Sequence, residues 1–150
     1  MNKKNYISFA KRAASIQINE LSKIKKVFNS SFAKAVELIL SCKGKVIFAG
    51  VGKSGLIARK ISATFSSIGV PSFFCDPSQA VHGDMGQIEK KDILIIFSYS
   101  GNTSELSNML KYANRYRIKI IGVASKPDSI LLKASDIKLV LPKVREADIT

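Results

Sequence analysis

The sequence predicts an α/β fold, a three-layer α/β/α sandwich in which helices cover both faces of a five-stranded parallel sheet. From Lys45 onward, short runs rich in β-branched and aromatic residues alternate with segments of helical periodicity. Such alternation is typical of parallel sheets whose strands are joined by helical crossovers. The runs are continuously apolar, which indicates strands that are buried on both faces.

Each element of this fold has a predicted range. The strands are expected at residues 46–49, 72–75, 93–97, 120–124 and 137–141. The helices between them are expected at residues 56–68, 103–116 and 129–134. Residues 76–86 read as a longer loop with one turn. In such sheets ligands bind beyond the carboxyl ends of the strands, so the loops at those ends are the places to look for chemistry.

Two helices are expected before the sheet. Residues 4–28 carry apolar side chains at helical spacing, which predicts a long amphipathic helix that covers a face of the domain or packs against another subunit. These side chains are Ile7, Ala10, Ala14, Leu21, Ile24 and Phe28. A second helix is expected after Ser30 or Ser31 as its N-cap, and its apolar face is Phe32, Val36, Ile39 and Leu40. No linker is evident, so residues 1–150 are predicted to form one domain, with helices in 1–43 and the α/β core in 44–150.

The net charge of +13 is concentrated at the two ends of the chain. Residues 46–110 carry five basic and five acidic side chains, so the central part is neutral. The basic residues are scattered lysines without interleaved aromatic residues, and we therefore expect no nucleic-acid binding. A positive field would still attract phosphorylated metabolites.

Membrane insertion and secretion are not expected. The longest purely apolar run, Ile93–Phe97, is too short for a bilayer core of roughly 30 Å. Lys11 and Arg12 interrupt any hydrophobic region that could make the start of the chain a signal peptide. Cys42 and Cys75 show no CxxC or metal-ligand spacing, which favours free thiols in a reducing cytoplasm.

The loop after the first strand is rich in glycine and enters a helix directly. It reads Gly50-Val51-Gly52-Lys53-Ser54-Gly55. Glycines let a backbone approach a ligand, and the N–H groups at a helix start suit an anion. A Walker A loop would need a glycine where Ile47 stands, so this class is excluded. The dinucleotide fingerprint fits, with Asp76 in the place of a ribose-binding acid, and this loop alone leaves a dinucleotide enzyme as an open alternative.

The loop after the third strand favours a sugar phosphate. It reads Ser98-Tyr99-Ser100-Gly101-Asn102-Thr103-Ser104-Glu105. Hydroxyl groups and helix N–H groups together can surround a phosphate, and a dinucleotide domain needs no second phosphate cradle. Asn102 or Thr103 is also expected to cap the helix that follows.

These motifs resemble those of the arabinose-5-phosphate isomerase family, which has the SIS (sugar isomerase) fold, a flavodoxin-like architecture. The resemblance runs from about residue 5 to residue 148 and includes Pro71-Ser72-Phe73-Phe74 and His82-Gly83-Asp84. It implies an isomerase that interconverts D-ribulose 5-phosphate and D-arabinose 5-phosphate through an enediol(ate), for octulosonate synthesis toward lipopolysaccharide or capsule. It also implies a homotetramer whose active sites lie at subunit interfaces.

The resemblance assigns roles to particular residues. It places the phosphate on Ser54, Ser98, Ser100 and Thr103, in a loop that includes Gly101 and Asn102, and it matches Lys53, Glu105 and Glu146 to catalytic positions. A carboxylate base and a cation suit the chemistry, because a proton must move between two carbons while an enediolate is stabilised.

His82, the single histidine, stands beside Asp84 in a loop and is a candidate for ring opening or proton transfer. Asp76, Asp84 and His82 lack the spacing of a full ligand set, so neither a metal nor another cofactor is expected.

Family members usually continue through further helices, one of which bears a catalytic histidine, and often through two CBS modules. The sequence stops at Thr150 and contains no CBS module. The expectation is a fragment, or a phosphosugar-binding module without catalysis, and the isolated 150 residues are expected to bind substrate but to turn it over poorly.

Overall fold

A computed structural model describes residues 3–147, with side chains from residue 5 onward, and contains a parallel sheet. Among these residues the sheet has five strands, all paired in parallel, in the order β2-β1-β3-β4-β5. The strands are Val46–Gly50 (β1), Ser72–Cys75 (β2), Ile93–Phe97 (β3), Lys119–Ala124 (β4) and Ile137–Val140 (β5). The predicted α/β fold is confirmed, and the strand limits differ from the predicted ones by one residue at most.

Helices cover both faces of this sheet. They are α2 (Ser30–Leu40), α3 (Lys53–Ser67), α4 (Leu106–Tyr116) and α5 (Ile130–Ala134), and a further helix, α1 (Lys3–Ser22), precedes them in the chain. Successive side chains of a strand point to opposite faces. Accordingly Phe48 and Ile95 are buried with α2 and α3, whereas Ile47 and Ile96 are buried with α4 and α5. The three-layer sandwich is therefore confirmed.

Two helix starts and the loop after β2 differ from the prediction. Helix α3 begins at Lys53, directly after the glycine turn, instead of at residue 56. Helix α4 begins at Leu106 instead of residue 103, because Ser104 and Glu105 form a turn in which the Leu106 N–H donates to the Thr103 carbonyl at 3.2 Å. The loop after β2 contains two short 3₁₀ helices, Ala80–His82 and Asp84–Gln87.

The N-cap of α2 is Asn29, and the prediction of Ser30 or Ser31 was wrong. The Asn29 Oδ1 accepts hydrogen bonds from the backbone N–H groups of Ser31 at 2.9 Å and Phe32 at 3.4 Å. Both N–H groups belong to the first turn, where no intrahelical acceptor is available. The end of the predicted apolar face was also wrong, since Leu40 is 81% exposed.

Helix α1 is shorter than the predicted range of residues 4–28, and it does not cover a face of the domain. It ends at Ser22 and continues as a 3₁₀ helix, Lys23–Val27. The apolar side chains of Ile7, Ile18 and Leu21 are all more than half exposed. Near its end, Glu20 contacts the chain beyond β5. No helix within residues 3–147 is long and apolar enough to cross a membrane.

Candidate functional site

The sheet order reverses between β1 and β3, which places two loops side by side. After β1 the chain crosses to β2 on one side, and after β2 it returns to β3 on the other side of β1. Gly50 at the end of β1 pairs with Phe97 at the end of β3. In open parallel sheets this reversal opens a crevice at the carboxyl ends of the strands, where ligands bind. The two motif-bearing loops therefore flank the expected crevice.

The first loop turns sharply at Gly52 and starts α3. Gly52 has φ +58° and ψ −128°, a conformation that residues with a Cβ rarely adopt, and a Cβ built there would have no atom within 4 Å. Lys53 is exposed and Ser54 is half-buried at the first turn of α3. These positions put an ammonium group and a hydroxyl at a helix start, which is a suitable place for an anion.

Gly50 and Gly55 serve helix packing, whereas the approach of a ligand to the glycines of this loop stays a prediction. A Cβ added at Gly55 would lie 2.6 Å from the Gly50 carbonyl oxygen, and one added at Gly50 would lie 2.9 Å from the Ser54 carbonyl carbon. Both distances are too short for an ordinary contact. The absence of side chains here lets the start of α3 lie directly against the end of β1, which fixes where Lys53 and Ser54 stand.

The second loop is held together by its own hydroxyl groups. Ser98 is only 5% exposed, and its Oγ lies 2.8 Å from the Thr103 Oγ1 and accepts a hydrogen bond from the Gly101 N–H at 3.1 Å. The Ser100 Oγ accepts from the Asn102 N–H at 3.3 Å. Ser100 and Thr103 are half-buried at the surface of the loop. These hydrogen bonds hold the loop in one conformation, with the Ser98 hydroxyl buried and the Ser100 and Thr103 hydroxyls nearer the surface.

Asn102 anchors this loop to α5, and the proposed cap of α4 by Asn102 or Thr103 was wrong. The Asn102 Oδ1 accepts a hydrogen bond from the Ile130 N–H at 2.9 Å. The residue before α4 is Glu105, and no side-chain hydrogen bond caps that helix. Gly101 has φ +68°, and a Cβ there would overlap the side chain of Ser129. Gly101 and Asn102 thus attach the loop to the start of α5.

Glu105 is the last residue of the second loop and directly precedes α4. The predicted helix range, 103–116, had placed it inside the helix. It is exposed, and its carboxylate accepts a hydrogen bond from the Ser104 hydroxyl at 2.8 Å. Its own backbone N–H and the Ser104 hydroxyl lower the pKa of Glu105 below the ordinary value. Glu105 is therefore ionised at neutral pH and is able to accept a proton.

The loop after β2 brings His82 to the same edge of the sheet as the other loops. His82 is exposed at the end of a 3₁₀ helix. The Asp84 Oδ1 accepts from the Gln87 side chain at 3.2 Å, and the Asp76 Oδ1 accepts from the Ser78 N–H at 2.9 Å, which closes a turn. Within residues 3–147, no three His, Cys, Asp or Glu side chains are grouped closely enough to hold a metal ion.

Glu146 follows β5 and lines a cleft beside the second loop. The cleft has a volume of about 470 Å³, and it lies between the end of α1, Tyr99 and residues 141–147. Tyr99 directly follows Ser98, so the cleft lies next to the loop that holds the hydroxyl groups. Sequence reasoning did not single out Tyr99 or Glu20, which both line this cleft. Tyr99 stood within a recognised motif, whereas no sequence signal marked Glu20.

Cys75 is structural. It ends β2 with 2% of its surface exposed. Burial, and then the negative charges of Asp84 and Asp76, raise the pKa of its thiol to about 11. A thiol of this kind stays protonated at neutral pH and is not a nucleophile.

The fold defines a doubly wound α/β protein with two motif-bearing loops side by side at its switch point. The family model of the SIS domain matches residues 39–150, and the chain belongs to this family. The protein RP505 of Rickettsia prowazekii is 42% identical over 99% of this chain and 47% of its own length. The arabinose 5-phosphate isomerase KdsD of Escherichia coli K12 is 37% identical over 91% of this chain and 42% of its own length.

Two solved structures resemble the chain over nearly its whole length. A protein from Listeria monocytogenes superposes with a TM-score of 0.93 at 35% identity, covering 99% of this chain and 78% of that one. The E. coli CFT073 protein c3406, solved in complex with arabinose 5-phosphate, superposes with a TM-score of 0.87 at 39% identity. The match covers 99% of this chain and 79% of that one. The chain spans less than half the length of the two curated relatives described above.

Proposed function

We propose that the chain is the SIS domain of an arabinose-5-phosphate isomerase, which interconverts D-ribulose 5-phosphate and D-arabinose 5-phosphate. One observation carries the proposal: the Gly50–Gly55 and Ser98–Thr103 loops lie side by side at adjacent strand ends. The similarity to c3406, which was solved in complex with arabinose 5-phosphate, supports the choice of ligand. The activity of the whole protein is part of the proposal, because the curated relatives are more than twice as long.

The phosphate is proposed to bind between the two loops. Ser54 and Lys53 contribute a hydroxyl and a positive charge from the start of α3, and Ser100 and Thr103 contribute hydroxyls from the second loop. Ser98 is buried beneath these hydroxyls and holds the Thr103 hydroxyl in place through their hydrogen bond. Backbone N–H groups at the start of α3 add dipoles that favour a dianion.

The isomerisation needs a proton carrier and a group that stabilises negative charge. Starting from the ketose, a base removes a proton from C1, and the electron pair of that bond forms a C1=C2 double bond while the C2 oxygen becomes an enediolate oxygen. The base then returns its proton to C2, and the C1 hydroxyl passes its proton to the C2 oxygen, so that C1 becomes the aldehyde and C2 bears a hydroxyl. The ionised Glu105 suits the base, and the Lys53 ammonium group suits the enediolate. Glu146 and His82 are the further proton-transfer candidates.

Membership of the SIS family and the structure of the Asp76 turn count against the dinucleotide alternative. The carboxylate of Asp76 is used to close its own turn. A phosphosugar-binding module without catalysis has the same loops, and only an activity measurement separates it from an isomerase.

The test is an isomerase assay on the complete gene product, with Lys53→Met as the site variant. The matched control is Lys60→Met, an exposed lysine two turns further along α3. We expect Lys53→Met to lower kcat by about two orders of magnitude and Lys60→Met to leave it within twofold. Substrate binding without turnover in the wild type would identify a binding module, and absence of both would overturn the proposal.

We further propose a homo-oligomer, a tetramer by family resemblance, located in the cytoplasm. The exposed apolar side chains of Ile7, Ile18 and Leu21 on α1 support an interface between subunits. The unpaired thiols of Cys42 and Cys75 support a reducing compartment. Sedimentation of the wild type and of Ile18→Glu tests the interface, and a monomeric wild type would contradict it.

A further inference from the structure

The segment that carries Glu146 is hydrogen-bonded to the end of α1, near the start of the sequence. Residues 141–147 follow β5 without regular secondary structure. The Arg145 N–H donates a hydrogen bond to the Glu20 Oε2 at 2.9 Å. Glu20 lies in the last turn of α1, and its side chain is only 14% exposed. A charged acceptor at this distance makes a stronger hydrogen bond than a neutral one.

The Glu20 carboxylate is itself held in place. Its Oε2 lies 2.5 Å from the Lys23 ammonium group, one turn further along the chain. The Lys23 side chain and the Arg145 N–H lower the pKa of Glu20, so it is ionised at neutral pH. The acceptor for Arg145 is therefore a fixed anion and not a freely rotating side chain.

A second contact joins the same segment to the hydroxyl-rich loop. The Val144 N–H donates to the Tyr99 hydroxyl oxygen at 3.5 Å, a long and weak hydrogen bond. The backbone carbonyl of Tyr99 accepts from the N–H and the hydroxyl of Ser125 at 2.9 and 2.8 Å, which fixes Tyr99 against the end of β4. Two successive N–H groups immediately before Glu146 are thus bound by side chains from α1 and from the second loop.

We infer that Glu20 is a positioning residue that, together with Tyr99, holds the Glu146 segment beside the Ser98–Thr103 loop. The inference rests on the proposed function for its catalytic meaning. The Leu141 N–H donates to the Ala124 carbonyl at 2.8 Å and fixes the start of the segment. Beyond Leu141 the two side-chain acceptors hold the backbone immediately before Glu146. A misplacement of about 1 Å can cost up to about two orders of magnitude in rate, so this anchoring matters for the chemistry.

The kinetic test uses Glu20→Ala and Glu20→Gln in the complete gene product. Glu20→Ala removes the acceptor, whereas Glu20→Gln keeps a carbonyl oxygen that can accept from the Arg145 N–H. We expect Glu20→Ala to lower kcat about tenfold with KM within twofold, and Glu20→Gln to recover most of that loss. The control is Glu37→Ala, an exposed glutamate of α2, which should leave kcat unchanged. A wild-type kcat in Glu20→Ala would overturn the catalytic role.

A second measurement does not depend on isomerase activity. Amide hydrogen exchange of a peptide covering residues 143–147 should be several-fold faster in Glu20→Ala than in the wild type, and unchanged in Glu37→Ala. Tyr99→Phe removes only the hydroxyl and should cause a smaller increase. Equal exchange in the wild type and Glu20→Ala would overturn the anchoring itself. If the wild type were inactive, the proposed function would fail, and the exchange comparison would still decide whether Glu20 holds the segment.

Discussion

The side-chain oxygens of Ser98 and Thr103 lie 2.8 Å apart, and this contact spans the loop after β3. Because the Gly101 N–H also donates to the Ser98 Oγ, the buried Ser98 fixes the first, middle and last parts of the loop at once. The hydroxyls nearer the surface are then held in place before a ligand arrives. Binding a phosphate consequently costs less ordering entropy than it would in a mobile loop.

The first prediction concerns phosphate affinity. The double variant Ser98→Ala with Ser100→Ala should weaken binding of arabinose 5-phosphate at least tenfold by calorimetry. A hydrogen bond to a charged group is worth about 1.5–3 kcal/mol, so loss of the Ser100 hydroxyl alone accounts for about tenfold. Loss of the Ser98 hydroxyl adds to this, because it releases the Thr103 hydroxyl from its buried partner. The control is Ser67→Ala, whose exposed hydroxyl bonds to the Thr64 carbonyl at the last turn of α3. Equal affinities in all three proteins would refute a phosphate site at this loop.

The second prediction concerns pH. The Glu105 backbone N–H and the Ser104 hydroxyl together hold the pKa of Glu105 below its ordinary value of 4.5. Ser104→Ala removes one donor to the charged form, so the pKa of Glu105 should rise and the acid limb of the kcat/KM profile should move to higher pH.

The matching measurement is a pH–rate profile from pH 4 upward. Activity at pH 8 should stay near the wild-type value, since Glu105 is ionised there in both proteins. Ser107→Ala, one turn further along α4, is the control and should leave the profile in place. An unmoved acid limb in Ser104→Ala would show that Glu105 is not the base.

The third prediction concerns the stability of α2. Asn29→Ala should lower the free energy of unfolding by about 1 kcal/mol, because the N–H groups of Ser31 and Phe32 lose their side-chain acceptor. Ser30→Ala should cost much less, since Ser30 is the first helical residue and not the cap. Urea unfolding of the two variants measures both values. A larger loss in Ser30→Ala would restore the cap assignment made from the sequence.

The sheet could be predicted from the sequence because its signal is local and strong. Runs such as Ile93–Phe97 are apolar without alternation, and burial on both faces of a parallel sheet is the usual explanation. The helix starts were less predictable, because Asn29 competed with two adjacent serines that cap equally well in isolation. Which of them binds the free N–H groups depends on the chain path from Val27, a tertiary property.

The candidate site likewise has parts that could be predicted from the sequence and parts that could not. Its two loops could be read from contiguous residues, since glycines and hydroxyls follow the strands directly. Glu20 could not be found, because its partner Arg145 lies 125 positions away and the hydrogen bond goes to a backbone N–H that has no sequence signature. The packing role of Gly50 and Gly55 could not be predicted either, because the sequence does not show whether a glycine makes room for a helix or for a ligand.

The last prediction tests that packing role. Gly55→Ala places a methyl group 2.6 Å from the Gly50 carbonyl oxygen, and this neighbour is backbone that cannot rotate away. The start of α3 must therefore shift, at a cost of about 1–3 kcal/mol in the free energy of unfolding. Because Lys53 and Ser54 move with the helix, phosphate affinity should fall as well, although neither residue has been changed.

Gly86→Ala is the matched control for this substitution. A Cβ at Gly86 meets nothing within 4 Å, and its φ is not in the left-handed region, so stability and affinity should stay close to the wild-type values. Urea unfolding and calorimetry on the same samples separate the two effects. If Gly55→Ala were as stable as Gly86→Ala and bound phosphate equally well, the close approach of α3 to β1 would not determine the geometry of the first loop.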